Sequence, residues 1–252
     1  MTFYIYQDKG YGIGNFINCT PAIQLLSKHF NMKIPVFFEN KIVKNMYEEC
    51  PFIEILEKPI GERLFSSSLV NNEIEDWRYI CKYIAKKLNF QNIELPHTYV
   101  DVPTSSFHLP EKEYCIIARG CAWNPTNHWL PLKDPGEAIY RTTIKLISQK
   151  YKILIVGSDI DKERLFCFKD LDVEYRLNNI KETLVLIKNC KFVVSNDTGV
   201  YHIAGAMNKP TFIFWKNTNL KKNKSPGKKC CYSFKENWEN DFIEWYKGFL
   251  DA

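Results

Sequence analysis

The sequence predicts an α/β protein built from two Rossmann-like domains facing across a cleft, and three observations carry that prediction. Short apolar runs alternate with helix-period segments along most of the 252 residues. The alternation breaks once, over 91–113, where Pro96, Pro103 and Pro110 sit in a stretch with little periodicity that reads as a linker. Beyond it, Val193 to Trp215 reads as a buried strand, a polar turn, a small-residue helix and a second buried strand, the order in which α/β proteins offer backbone N–H groups to an anionic ligand.

In the first half, Phe3–Gln7 is strand-like, 16–30 helical, Ile34–Phe38 strand-like, 41–49 helical, 53–56 a short strand and 74–89 helical. In the second half, Tyr114–Ala118 is a strand, 135–149 a helix, Tyr151–Gly157 a strand, 160–168 a helix, 172–175 a short strand and 181–189 a helix. The strand 192–195, the helix after it and the strand 211–215 complete the series. Trp238, Phe242, Trp245 and Tyr246 then mark one face of a terminal amphipathic helix over 236–249. The expected domains are 1–108 and 109–235, followed by the terminal helix 236–252. Ligands of such sheets bind outside the carboxyl ends of the strands.

Composition excludes several classes. A chain that is 45% hydrophobic and 25% charged is ordinarily globular, and no window approaches the roughly 18 apolar residues of a membrane span. The opening MTFYIYQDKG is too brief and too early charged for a signal peptide, so a cytoplasmic protein is expected. The nine cysteines form no C-x-x-C pair and no zinc spacing, and several lie in apolar runs; reduced, buried thiols are expected, with no metal and no disulfide. The net charge of +5 is uneven. Lys216, Lys221, Lys222, Lys224, Lys228 and Lys229 crowd a segment broken by Asn, Ser, Pro and Gly, which reads as a mobile basic loop, either solvated or in contact with phosphate.

The chemistry concentrates at strand ends. After Ser195, Asp197 or Thr198 can cap the helix, Gly199 lets a ligand approach the backbone, and His202 falls one turn after Thr198 on the same face. Asp8 closes the first strand as the carboxylate nearest the turn Gly10-x-Gly12-x-Gly14, where it serves as an acceptor's base or opens an Asx turn. That glycine turn is a weak dinucleotide signal, because the nearest acidic residue in a ribose-binding place is Glu39 at the second strand end; close approach of an acceptor is its better use. Gly157, Ser158, Asp159 and Asp161 end another strand, where a hydroxyl or carboxylate could hold a ribose or cap the next helix. Trp123 and Trp129 could stack on a ligand or pack.

These blocks resemble glycosyltransferase family 9, the heptosyltransferases. Gly12-Ile13-Gly14-Asn15 with Thr20-Pro21-Ala22-Ile23 is similar to that family's first glycine turn and helix. Ile153–Ser158 is similar to its strand ending in a glycine turn, and Asn196–Ala206 with 210–218 is similar to its Asp-Ser/Thr-Gly-x-x-His donor motif and following strand. The resemblance implies a GT-B fold whose C-terminal helix packs back toward the N-terminal domain. It also implies a nucleotide-diphosphate sugar as donor, with no other cofactor and no metal. The diphosphate would lie over Thr198 and Gly199 near His202, beside Asp197, Gly157 and Ser158. Arg119, His128 or His202 could add a hydrogen-bond donor to the leaving diphosphate. Two departures stand out. Asn15 occupies the place of the family's candidate base and cannot accept a proton at neutral pH, leaving it to orient the acceptor or cap the helix from Phe16. Asn127, in Asn127-His128-Trp129, stands where a family lysine would neutralise phosphate. Gly12, Gly14, Lys221 and Lys222 complete the acceptor side. The expected activity is inverting sugar transfer to a saccharide hydroxyl; the alternatives are transfer to hydroxylated bases in DNA, suggested by the basic segment, and a noncatalytic nucleotide-sugar binding module, suggested by Asn15 and Asn127.

Overall fold

Two all-parallel sheets organise the chain. The computed structural model describes residues 3–9, 12–67, 78–89, 96–104, 107–120, 133–177, 179–225 and 227–250, with the backbone alone for Ile160, Glu163, Lys221 and Lys222. It divides into two compact units, Met1–Pro103 with Asn219–Pro226, and Thr104–Thr218 with Gly227–Ala252.

In unit 1, β1 (Phe3–Gln7), β2 (Ile34–Phe38), β3 (Ile53–Leu56) and β4 (Glu62–Ser66) lie in the order β3-β2-β1-β4. β2 alternates buried and half-buried residues, as expected of a strand with one face in the core. The helix α1 (Ile13–Phe30) supplies that core, its Phe16 ring lying 4.9 Å from Phe38 and 5.0 Å from Tyr47. Pro21 sits inside α1 and has no N–H for the carbonyl of Ile17. The Thr20 hydroxyl donates to that carbonyl instead, at 2.7 Å, and accepts from the Tyr99 amide at 2.8 Å, so the Thr-Pro pair also tethers the segment leaving the unit. A short helix α2 (Lys41–Asn45), capped by Asn40, and α3 (Arg78–Lys87) complete the described elements of this unit's first hundred residues.

In unit 2 the sheet runs β10-β9-β8-β5-β6-β7. The chain enters at β5 (Tyr114–Ala118), moves outward through α4 (Glu137–Ile147), β6 (Lys152–Val156), α5 (Lys162–Leu165) and β7 (Glu174–Arg176), and returns through α6 (Ile180–Asn189) to the other side of β5. There it lays down β8 (Val193–Asn196), α7 (Gly199–Ala206), β9 (Thr211–Trp215) and, after α8 (Leu220–Asn223), β10 (Cys230–Phe234). Strand order therefore reverses between β5 and β8, the place where sheets of this kind open a crevice at their carboxyl ends. β5 and β9 are buried at every residue. The last helix, α9 (Trp238–Leu250), covers one face, with Trp238, Phe242 and Tyr246 packed among Phe192, Phe212, Phe214 and Tyr151. Burying each such side chain contributes about 2–3 kcal/mol.

Several expectations are corrected. α1 begins at Ile13, with Gly12 at its cap position, so Asn15 is a first-turn residue and does not cap the helix. The helix expected over 41–49 stops at Asn45, and that over 160–168 is α5 flanked by 3₁₀ turns at Asp159–Asp161 and Phe166–Phe168. Part of the basic segment is helical, and a strand follows it, β10. The terminal helix belongs to unit 2, because its aromatic face completes that unit's core, while 219–226 groups with unit 1. No helix among the described residues is long and apolar enough to cross a membrane.

Candidate active site

The carboxyl end of β8 delivers its residues through one turn. Thr198 has extended backbone and caps α7, its Oγ1 accepting from the Val200 amide at 3.3 Å while meeting Ser195 Oγ at 3.2 Å. The remaining N–H groups of the first turn carry the partial positive charge of a helix N-terminus. Asp197, buried, pairs with Lys133 Nζ at 3.0 Å. Between Asp197 and β5, Asn196 donates to the Lys133 carbonyl at 3.1 Å and accepts from the Tyr140 hydroxyl at 3.3 Å.

His202 is 6% exposed, and its Nδ1 is buried without a hydrogen-bond partner among the described residues. Burial pulls its pKa down to about 4; nearby Asp197 opposes that pull and Lys133 adds to it. The ring is therefore a neutral imidazole at pH 7, one nitrogen a donor and the other an acceptor. An unmatched polar atom at such depth costs on the order of 1–3 kcal/mol. A helix N-terminus, a lysine ammonium and a neutral imidazole thus converge at one strand end, an arrangement suited to an anion with polar oxygens.

A second feature lies at the end of β6. Ser158 and Asp161 form a capping box, with Ser158 Oγ 2.8 Å from Asp161 Oδ2. The other carboxylate oxygen, Oδ1, is buried without a hydrogen bond among the described residues and stands 3.8 Å from Arg164 Nη2. A Cβ on Gly120 would meet this carboxyl at 3.0 Å, and one on Gly157 would strike Leu165 Cδ1 at 2.5 Å. A side chain at 157 would therefore require the Leu165 side chain to move aside.

Arg119 is occupied. Nε and Nη2 bind the two carboxylate oxygens of Asp134 at 3.1 and 2.9 Å, and Nη1 reaches Cys167 Sγ at 3.1 Å, with the guanidinium over the Phe168 ring. Its donors thus fix the loop that carries Lys133 and Asp134. Neither of those loop residues stood out in the sequence: they lie well past the end of β5, and tertiary contacts alone bring them to β8. Asn127 and His128 lie outside the described residues, as do Trp123 and Trp129.

In unit 1, Asp8 follows β1 and is held from β4. Its Oδ2 accepts from the hydroxyls of Ser66 and Ser67, the latter at 3.1 Å, while Ser67 Oγ accepts from the Asp8 amide at 3.1 Å. The adjacent Lys9 amide donates to Glu39, whose pKa is held below the ordinary value by its hydrogen bond with Tyr6. Gly12 is exposed, and Gly14 is buried in the first turn of α1 near half-buried Asn15. Lys221 and Lys222 lie on α8.

Parallel Rossmann-like sheets in two units, with a site at a strand-order reversal, define the GT-B class. Residues 144–241, which include Asp197 to His202, match the model of glycosyltransferase family 9 (heptosyltransferase). Lipooligosaccharide heptosyltransferase 2 of Haemophilus influenzae is 29% identical over 120 residues, 44% of this chain, so the chain spans a third of that curated relative's length. The E. coli heptosyltransferase WaaC, solved with ADP, superposes with a TM-score of 0.71 at 14% identity over 99% of each chain. The family 9 glycosyltransferase of Veillonella parvula gives 0.72 at 13% identity, over 98% of this chain and 89% of its own. At these identities the two structures establish the fold. Residues 144–241 are thus similar to glycosyltransferase family 9, and the chain has the fold of heptosyltransferases.

Proposed function

We propose that this protein is a metal-independent, inverting glycosyltransferase that moves a sugar from a nucleotide-diphosphate donor to a saccharide hydroxyl. One observation carries the reading: the buried Nδ1 of His202, unpartnered among the described residues, beside the capped N-terminus of α7. A diphosphate oxygen would satisfy that nitrogen and the first-turn amides together, and negative charge grows on this diphosphate as the sugar leaves. The Oδ1 of Asp161, without a hydrogen bond among the described residues and at the end of β6, two strands from β8, is suited to a ribose hydroxyl.

In the transfer, the acceptor oxygen attacks the anomeric carbon from the face opposite the diphosphate. The new C–O bond forms as the bond to phosphate oxygen breaks, and the acceptor's proton passes to a base. Asn15 cannot take it, whereas Asp8, oriented by Ser66 and Ser67, can. The test is a thermal-shift screen of nucleotide-diphosphate sugars followed by a transfer assay with saccharide acceptors, the anomeric configuration of the product being read by NMR. The expected result is stabilisation by one donor, an inverted product, and an Asp8→Asn variant with unchanged donor affinity but kcat lowered by roughly a hundredfold or more. If no donor stabilises the protein and none is turned over, the reading is wrong.

A further inference from the structure

We propose that Lys133 is a donor-binding residue, an ammonium that neutralises Asp197 and donates its remaining N–H groups to the donor's diphosphate; this rests on the glycosyltransferase reading above. The geometry supplies three reasons.

The first is the state of the ammonium. Lysine has three donors, and among the described residues the contact of Lys133 Nζ is an ion pair with Asp197 Oδ2 at 3.0 Å, an oxygen that accepts no hydrogen bond there. The side chain is 23% exposed and the carboxylate it pairs with 5%, so the ammonium is the member of the pair open to a ligand.

The second is how firmly the residue is held. Its carbonyl accepts from Asn196 at the end of β8. The next residue, Asp134, is gripped bidentately by Arg119 just past β5, and its carbonyl accepts from Lys216 Nζ just past β9, at 2.9 Å. Groups from three adjacent strand ends thus fix one dipeptide at the strand-order reversal. A lysine serving only as solvated surface needs no such clamping.

The third is charge. A bare Asp197 carboxylate at the N-terminus of α7 would repel a diphosphate from the helix amides and from His202. With Lys133 in place the pair is neutral, and the helix end, the free ammonium donors and the imidazole face the ligand together.

Lys133 could instead act solely as the counter-ion of Asp197, and a double-mutant cycle separates the two roles. Binding is measured by calorimetry for whichever of ADP, UDP, GDP and CDP stabilises the wild type most, and for the same nucleoside without phosphates. Lys133→Met is expected to weaken diphosphate binding by roughly ten- to a hundredfold and to leave the nucleoside unchanged, with Lys133→Arg retaining most of the affinity. The loss must persist when Lys133→Met is made on an Asp197→Asn background, where no unpaired carboxylate remains and folding is protected. Undiminished diphosphate binding by Lys133→Met, or a loss that vanishes in Asp197→Asn, overturns the proposal. A wild type that binds none of the four diphosphates overturns instead the reading on which it rests.

Discussion

His202 shows how one residue can be legible in sequence while its chemistry is not. Its spacing from Thr198 places it on the same side of α7 as that cap residue, since both lie within one helical turn. Its neutrality comes from burial, which no local pattern records, and so does the orphaned Nδ1. That burial has a measurable consequence. Between its ordinary pKa of 6.5 and the folded value of about 4, the unfolded chain binds a proton that the native protein refuses, so stability falls as pH drops through this window and is insensitive to His202 above it. The full effect is on the order of 3 kcal/mol. Urea unfolding of wild type and His202→Gln from pH 7 to pH 4 should show the wild type losing stability more steeply; equal slopes would mean that the imidazole charges freely in the native state. Lys133 is the opposite case. In sequence it is one lysine in a polar stretch, and only its contacts with Asn196 and Asp197 and the grip of Arg119 on Asp134 give it a place.

At the scale of elements, strands with aliphatic runs announced themselves: β1, β2, β3, β5 and β9 begin and end where the pattern says. β4 and β10 did not. Glu62-Arg63-Leu64-Phe65-Ser66 is polar at one end because it is an edge strand, and Cys230-Cys231-Tyr232-Ser233-Phe234 follows so many lysines that charge masked it. Missing β4 had a cost, because Ser66 and Ser67, which orient Asp8, lie at its end. The join between α7 and β10 rests on a close backbone approach. A Cβ on Gly227 would stand 2.6 Å from the Cα and carbonyl oxygen of Gly205, and backbone cannot move aside as a side chain would. Gly227→Ala is therefore expected to destabilise the protein by about 1–3 kcal/mol, seen as a lower urea midpoint at unchanged m-value. An unshifted midpoint would show that the α7 end tolerates displacement.

For the whole molecule, the two-unit division was readable from the proline-rich stretch, which the unit boundary at Pro103 enters. The return of 219–226 to unit 1 was not, since chain order carries no trace of it. Nor was the packing of α9: the amphipathic stripe was evident, but a stripe does not name the surface it covers, and the aromatic cluster around Phe192, Phe212 and Phe214 decides it. The candidate site does not depend on these differences, because it rests on one strand–turn–helix unit at a strand-order reversal, and this unit lies inside the stretch that matches family 9. The central claim is that a nucleotide-diphosphate sugar rests on the N-terminus of α7. Hydrogen exchange read by mass spectrometry, with and without a saturating donor, tests it most directly. Slowed exchange is expected in the peptide spanning 196–206, from newly bonded first-turn amides. Unchanged exchange there, while a bound donor slows another segment, would contradict it.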